Sequence, residues 1–222
     1  MTGNPARDLD PAALVPARWA AVGPILGEVI VRWHEAEAAI GDWDSALSAL
    51  PARHAPGWAA TVEHLQLINT FQWHEEDRSR DHGADDHVLA GVKRSIDASN
   101  RRRVQTVDRL DDMIHAGLVR SGAVNPEAPL NSESPASIID RLTVLALKIH
   151  HVAEALAPMP AGDERRTMQG RLDGLTGQRD DLGGCLDALL DGIRAGRVGL
   201  RLYRQVKVYR QADTGTLKAD LD

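Results

Sequence analysis

The 222-residue sequence is short of cysteine, of lysine and of long apolar runs. Its single cysteine, Cys185, excludes an internal disulfide framework and every zinc or iron–sulfur site that needs several cysteines. No stretch approaches the roughly 18 consecutive apolar residues of a membrane span, and the first ten residues lack the charged-then-apolar layout of a signal peptide. The sequence therefore predicts a cytoplasmic protein with no membrane span.

Basic residues are outnumbered by acidic ones, 26 against 32, which gives a formal net charge of −6. A general nucleic-acid binder needs a broad basic face for the phosphates, so this balance disfavours a nucleic-acid partner. Glycine-rich phosphate loops, a Ser-His-Asp order and zinc-hydrolase motifs are also missing from the sequence. With 43% apolar residues, the chain is long enough to form one globular domain with a buried core.

Apolar residues recur every three or four positions along most of the chain, which is typical of amphipathic helices. After Gly196 they alternate with polar residues instead, so the pattern predicts an extended C-terminal segment there, with a short helix as the alternative. The predicted fold is all-α, an antiparallel bundle of about five long helices. Its parts are a flexible N-terminal arm (1–16), the helical bundle domain (17–196), and the C-terminal extended segment and tail (197–222).

Three of the predicted helices carry polar residues at positions where the apolar stripe would continue. Burying an unpaired charge costs several kcal/mol, so each interruption indicates an ion pair or a pocket. We expect Asn100, Arg103 and Arg179 to face one another across the core, where an excess of cations favours a bound anion. The other interrupting residues are His74, Arg78 and Asp81 on the second predicted helix.

His74 and Asp77 lie three residues apart, a spacing that places them on neighbouring faces of one helix. Such a pair can couple an imidazole to a carboxylate for acid–base chemistry, or supply two ligands to a metal ion. His150 and His151 are adjacent and diverge by about 100° on a helix, which predicts a poor metal pair. The candidates for a third metal ligand are His34, Asp97 and Asp108.

Five polar motifs follow one another along the chain. They are QWHEEDRSRD (72–81), KRSIDASNRRR (93–103), NSESPASIIDRLTVLALKIHH (131–151), QRDDL (178–182) and YRQVKVY (203–209). In these motifs the sequence resembles the bacterial domain of unknown function 4254 family. The resemblance implies a helical fold and a setting beside genes for glycosyltransferases and surface polysaccharides, but no established activity.

The characteristic polar residues of that family fall on matching positions of this sequence. At His150 the sequence departs from the family's pattern, in which an aromatic residue is more usual. The residues that the resemblance carries over are His74, Asp77, Arg80, Asp81, Lys93, Arg94, Asp97, Asn100, Arg103, Asn131, Ser132, Glu133, Asp140, Arg141, Lys148, Gln178, Arg179, Tyr203, Arg204, Gln205 and Lys207.

The sequence thus predicts a small-molecule enzyme or binder that acts on a sugar or an anionic, phosphorylated metabolite in a glycoconjugate or specialised-metabolite pathway. In the enzyme, His74 acts as the general acid or base, Asp77 holds it, and Asp81 completes the catalytic group. No metal and no cofactor belongs to this interpretation. The predicted substrate-binding residues are Arg78, Lys93, Asp97, Asn100, Arg103, Arg141, Lys148, Arg179, Tyr203, Arg204 and Lys207.

Two alternatives stay open. The first is a non-catalytic helical accessory protein that docks a glycosyltransferase, in which the same polar residues form internal ion pairs. There the C-terminal segment, with Tyr203 and Tyr209, packs on the bundle or on a second copy in a homodimer. The second alternative is a mononuclear metalloenzyme that uses His74 and Asp77.

Overall fold

The computed structural model of the protein describes residues 17–80, 83, 85–203, 206–210 and 217–221. Five long helices form a bundle, which confirms the predicted all-α fold. Strands β1 (Val206–Arg210) and β2 (Leu217–Leu221) pair as an antiparallel hairpin. The predicted N-terminal arm, residues 1–16, lies outside the described residues. The helices are α1 (Trp19–Ala36), α2 (Trp43–Ala49), α3 (Trp58–Arg78), α4 (Asp86–Arg120), α5 (Pro135–Leu156) and α6 (Asp163–Arg194).

The short helix α2 lies between the first two predicted long helices. Asp42 caps it by accepting from the backbone N–H of Ser45, and the Ser45 hydroxyl accepts from the backbone N–H of Asp42 in return. This reciprocal capping satisfies backbone donors that a seven-residue helix cannot satisfy internally. Helix α5 begins as its sequence indicates, with Ser134 as the cap and Pro135 in the first turn.

Helices α1, α3 and α5 run in the same direction. Near the C-terminal end of α1, the Trp33 ring packs edge-on against Phe71 of α3, with 6.2 Å between the ring centroids. Near the C-terminal end of α3, Trp73 stacks on His151 in the last turns of α5, 5.2 Å away. The C-terminal ends of these three helices therefore meet at one end of the bundle.

Helices α4 and α6 run in the opposite direction. The backbone N–H of Trp19, at the start of α1, donates to Oδ1 of Asp187 near the end of α6, at 2.9 Å. The backbone N–H of Ala136, at the start of α5, donates to Oδ1 of Asp111 in the second half of α4, also at 2.9 Å. Successive long helices from α3 to α6 are thus antiparallel, whereas α1 and α3 are parallel because α2 and its loop return the chain to the start of the bundle.

The buried carboxylate of Glu63 ties that returning loop to both helices. Its Oε1 accepts from Arg32 on α1 at 3.0 Å and from the backbone N–H of Arg53 at 2.9 Å. Oε2 accepts from the backbone N–H of His54 at 3.2 Å. Burial raises the pKa of Glu63, but the backbone N–H groups of Arg53 and His54 and the His54 side chain outweigh it and hold the pKa below the usual value. Charged at neutral pH, Glu63 fixes the loop, α1 and α3 relative to one another.

The core lies along the bundle axis in two clusters. The larger one joins all five long helices and includes Leu26, Leu65 and Leu142, which have no exposed surface. The smaller one packs Trp33 and Phe71 against α2. Each fully buried leucine contributes about 1.5–3 kcal/mol relative to an exposed one, so this packing supplies most of the stability.

Trp19 packs directly on the backbone of α6 at Gly183. A Cβ atom added at Gly183 would lie 2.6 Å from Cγ of Trp19, whereas one added at the exposed neighbour Gly184 meets no atom of the described chain within 4 Å. We predict that Gly183→Ala lowers the free energy of unfolding by about 1–3 kcal/mol through overpacking. Gly184→Ala, the matched control, should raise it by up to about 1 kcal/mol. Urea denaturation measures both; equal effects would contradict the close packing.

Candidate functional site

A polar recess of about 470 Å³ opens between α4, the start of α5 and the loop before it. A second recess of about 620 Å³ shares Arg103, Asp140 and Arg141 with it and continues between α5 and α6 to Lys148, Gln178 and Asp181. We call the two together the polar cleft. The volume of each recess lies in the range of small-molecule sites. The other polar residues of the cleft are Asp108, Asp111, Asn131, Ser132, Glu133, Ser134, Ser137, Arg201 and Tyr203.

Asp140 occupies the centre of the polar cleft and is held from behind. The buried Asn69 donates to Oδ1 of Asp140 at 2.9 Å and to Oγ1 of Thr143 at 2.6 Å. This arrangement leaves Oδ2 facing Arg103, whose Nε is 4.0 Å away. That distance is too long for a hydrogen bond. A carboxylate with one oxygen fixed and the other facing a cation can accept a ligand hydroxyl or transfer a proton.

Arg141 and Glu133 form an ion pair at the rim of the polar cleft. Nη1 of Arg141 donates to both carboxylate oxygens of Glu133, at 2.8 and 2.7 Å. Deeper in the cleft, burial raises the pKa of Asp111 above its usual value, and the neighbouring Asp108 and Asp112 raise it further. The floor and the rim of the cleft thus carry groups of both charges.

The segment that follows α6 forms one wall of the polar cleft. The backbone N–H of Gly199 donates to the carbonyl oxygen of Pro129 at 2.9 Å, which joins this segment to the loop before α5. A Cβ atom at Gly199 would lie 2.7 Å from the carbonyl oxygen of Ala128, so only glycine permits this approach. Beyond this contact Arg201 and Tyr203 line the cleft, and Tyr203 is 70% exposed.

His74 lies at the C-terminal end of α3 and does not line the polar cleft. Its ring stacks on Trp33 with 5.2 Å between centroids, and its Nδ1 is 3.5 Å from Oε1 of Glu37. Asp77, the predicted partner of His74, instead accepts from Arg80 at 2.6 Å. Burial lowers the pKa of His74, Glu37 opposes this shift, and neighbouring histidines add to it. At neutral pH the imidazole of His74 is therefore uncharged.

Four histidines meet where α1, α3 and α5 end, and we call them the histidine cluster: His34, His74, His150 and His151. The ring of His34 lies 4.4 Å from that of His150 and 5.2 Å from that of His151. Ligand atoms of His34, His74 and His151 all lie within 4.8 Å of one another, and His34, His150 and Glu154 form a second such group. The cluster is the part of the described chain best suited to hold a metal ion.

Most of the other predicted site residues pair with side chains other than Arg103. Lys93 pairs with Asp97, and Arg179 donates to its neighbour Asp180 at 2.9 Å. Asn100 accepts from Gln72 of α3 at 3.2 Å. Arg78 donates to Glu75 at 2.5 Å. Of Asn100, Arg103 and Arg179, the three residues predicted to face one another, the described structure places only Arg103 in the polar cleft.

The remaining predicted residues divide into two groups. Arg141, Lys148 and Tyr203 line the polar cleft. Asp81 and Arg204 lie outside the described residues, as does the side chain of Lys207.

Periodicity did not single out His34 as the partner of His74. The sequence does contain a signal for it, because Trp-His-Glu occurs at 33–35 near the end of α1 and again at 73–75 near the end of α3. The second signal is the pair of adjacent histidines in the last turns of α5. As their divergence predicts, His150 and His151 belong to different candidate ligand groups.

One helical bundle thus carries two polar sites, the polar cleft and the histidine cluster. Residues 59–202 match the family described as "Protein of unknown function (DUF4254)", and since this is well over half of the chain, the protein belongs to that family. No curated protein and no solved structure matches the chain. In the described part of the chain, no helix is long and apolar enough to cross a membrane.

The hydrogen bond from Asn69 to Asp140 should be measurable as an energetic coupling. We predict that Asn69→Ala and Asp140→Ala are not additive, with a coupling free energy of about 1 kcal/mol, because the second change removes a group that the first leaves unpaired. Asn69→Ala combined with Asp181→Ala, an exposed carboxylate of the same cleft, serves as the control and should be additive. Denaturant unfolding of the single and double variants measures the coupling; additivity in both pairs would contradict it.

Proposed function

We propose that the protein is a cytoplasmic enzyme or binder for a sugar or a phosphorylated, anionic metabolite, and that the polar cleft holds this ligand. A pathway of glycoconjugate or specialised metabolism fits the surroundings that the family resemblance implies. The proposal rests on the chemistry of the cleft, which offers guanidinium, carboxylate, amide and hydroxyl groups within a volume suited to a small molecule.

The neighbouring side chains of Arg103 and Asp140 carry this proposal. Both are shared by the two recesses of the polar cleft, and the 4.0 Å between Nε and Oδ2 leaves each side chain able to bond to a ligand between them. A guanidinium binds phosphate or carboxylate oxygens in pairs, whereas a carboxylate accepts from sugar hydroxyls. A ligand with both kinds of group, such as a phosphosugar or sugar nucleotide, fits this combination.

In the enzyme form of the proposal, Asp140 is the acid–base residue. The role that the sequence assigned to His74 passes to Asp140, since His74 belongs to the histidine cluster. Asn69 holds one oxygen of Asp140 and so fixes the direction in which the other can exchange a proton. Arg103, Arg141 and Lys148 supply the positive charge that an anionic substrate needs.

A non-catalytic accessory protein is the second candidate. Ion pairs such as Lys93–Asp97 and Arg179–Asp180 are what this alternative predicts of the polar residues. The exposed ring of Tyr203 would then belong to a contact with a glycosyltransferase or with a second copy of the chain. Both candidates use the same surface, so a ligand screen and an interaction assay distinguish them.

We predict that a phosphosugar or sugar nucleotide stabilises the full chain against unfolding, by about 2.7 kcal/mol at 100 times its dissociation constant. Arg103→Ala and Asp140→Asn should each weaken binding at least tenfold, or about 1.4 kcal/mol. Arg171→Ala, an exposed arginine of α6 outside the cleft, is the matched control.

Thermal unfolding and calorimetric titration with a panel of these compounds measure both effects. If Arg103→Ala and Arg171→Ala weaken binding equally, the ligand is not held in the polar cleft. If no compound stabilises the protein, and light scattering instead detects a dimer that Tyr203→Ala dissociates, the accessory protein replaces the enzyme.

A further inference from the structure

We propose that His34, His74 and His151 form a binding site for one divalent transition-metal ion, of which Zn²⁺ is the representative. The site lies at the end of the bundle where α1, α3 and α5 end, and it does not depend on the ligand of the polar cleft. Each ligand comes from a different helix, and the candidate ligand atoms lie within 4.8 Å of one another.

The unpaired ring nitrogens of the histidine cluster are the first observation. The Nε2 atoms of His34, His74 and His151 are buried and find no hydrogen-bond partner among the described residues, whereas Nε2 of His150 faces Oε1 of Glu154 at 3.4 Å. An unsatisfied buried polar atom costs about 1–3 kcal/mol, and native proteins contain few of them. Three within one cluster indicate that a binding partner belongs between them.

The acceptors at Nδ1 decide which nitrogen of each ring is free to bind this partner. Nδ1 of His34 is 2.8 Å from the backbone carbonyl oxygen of Ile30, which can only accept, so Nδ1 carries the proton. Nδ1 of His74 faces a carboxylate oxygen of Glu37 at 3.5 Å, and Nδ1 of His151 faces one of Glu154 at 3.3 Å. Because carboxylate oxygens accept, Nδ1 carries the proton in these two rings as well. With the proton on Nδ1, the Nε2 atom of each of the three rings is a lone-pair donor.

A cation satisfies three such nitrogens at once, but a water molecule does not. Water has two hydrogens to donate, so at least one of three Nε2 acceptors would stay unpaired. A metal ion accepts all three lone pairs, and its charge is balanced by the nearby carboxylates of Glu37 and Glu154.

The surroundings of the rings resemble those of metal-bound histidines. Such histidines donate their second ring N–H to a carboxylate or a backbone carbonyl, which fixes the tautomer and orients the ring. Trp33 stacks on His74 and Trp73 stacks on His151, both at 5.2 Å with 15° between the planes. Zinc–nitrogen bonds of 2.0–2.1 Å in a tetrahedron require nitrogens about 3.3 Å apart, so the separations of up to 4.8 Å must close by at most about 1.5 Å to complete the site.

Three neutral imidazoles select the class of ion. Nitrogen ligands suit Zn²⁺, Cu²⁺, Ni²⁺ and Fe²⁺, whereas Mg²⁺ and Ca²⁺ prefer oxygen. Three protein ligands leave a fourth position open, as in catalytic zinc sites. A recess of about 240 Å³, lined by His74, Glu37 and Asp77, lies beside the cluster.

The experiment titrates the full chain, freed of metal with a chelator, with Zn²⁺ in a calorimeter and with Co²⁺ in a spectrophotometer. We expect one ion per chain and, for Co²⁺, the intense visible bands of a four-coordinate ion. His34→Ala, His74→Ala and His151→Ala should each weaken Zn²⁺ binding at least 100-fold. Glu37→Gln should weaken it about 10-fold by replacing the charged acceptor at Nδ1 of His74 with a neutral amide. The matched control, His87→Ala, changes an exposed histidine of α4 and should leave binding unchanged.

Far-ultraviolet circular dichroism establishes that each variant is folded, and Glu37→Gln tests the site without removing a ligand. Wild-type protein that binds neither Zn²⁺ nor Co²⁺ would overturn the proposal. So would binding that survives in His34→Ala as well as in His87→Ala, since the ion would then lie elsewhere. If Glu37→Gln binds Zn²⁺ as tightly as the wild type does, Glu37 does not orient the ring of His74.

Discussion

The shared direction of α1, α3 and α5 is the constraint on which both polar sites depend. Helix α2 and the loop held by Glu63 return the chain to the start of the bundle, so α3 runs parallel to α1 instead of antiparallel. An antiparallel α3 would place His34 and His74 at opposite ends of a 21-residue helix, about 30 Å apart. Parallel packing instead brings histidines near the ends of three helices into one cluster.

Helix α5 contributes to both sites through different turns. Its first turns present Asp140 and Arg141 to the polar cleft, and its last turns present His150 and His151 to α1 and α3. The separation of 11 positions from Asp140 to His151 corresponds to about 16 Å along the helix axis. The two sites therefore share a rigid support, although no side chain among the described residues lines both the cleft and the candidate metal group.

Periodicity was sufficient to predict the long helices because each carries an apolar stripe that the core requires. Helix α5 begins at Pro135 because Ser134 caps its first backbone N–H groups. Periodicity could not give the direction or the rotation of a helix, because an apolar stripe reads the same both ways along the axis. For this reason Arg179 was predicted to face Arg103, whereas its guanidinium bonds to Asp180. Helix α2 escaped prediction because seven residues are too few for a period.

The candidate sites show the same limit. Arg103 was predicted both from an interrupted apolar stripe and from the family motifs, and the motifs also carry Arg141 and Lys148; all three line the polar cleft. The partner of His74 was assigned to Asp77 because three residues separate them in the chain, but long-range packing supplies Glu37, His34 and His151 instead. Local spacing identifies which residues can meet on one helix, and only the relative direction of helices decides which meet across the bundle.

X-ray absorption at the zinc edge of the Zn²⁺-loaded full chain tests most directly whether the three helix ends form one site. Three imidazole ligands and one further light atom, at about 2.0–2.1 Å, are the expected coordination shell. Multiple scattering from the imidazole rings should disappear in part when His34 is replaced by alanine. An oxygen shell without imidazole scattering, or a zinc–sulfur distance of about 2.3 Å from Cys185, would contradict the convergence of His34, His74 and His151 on a single ion.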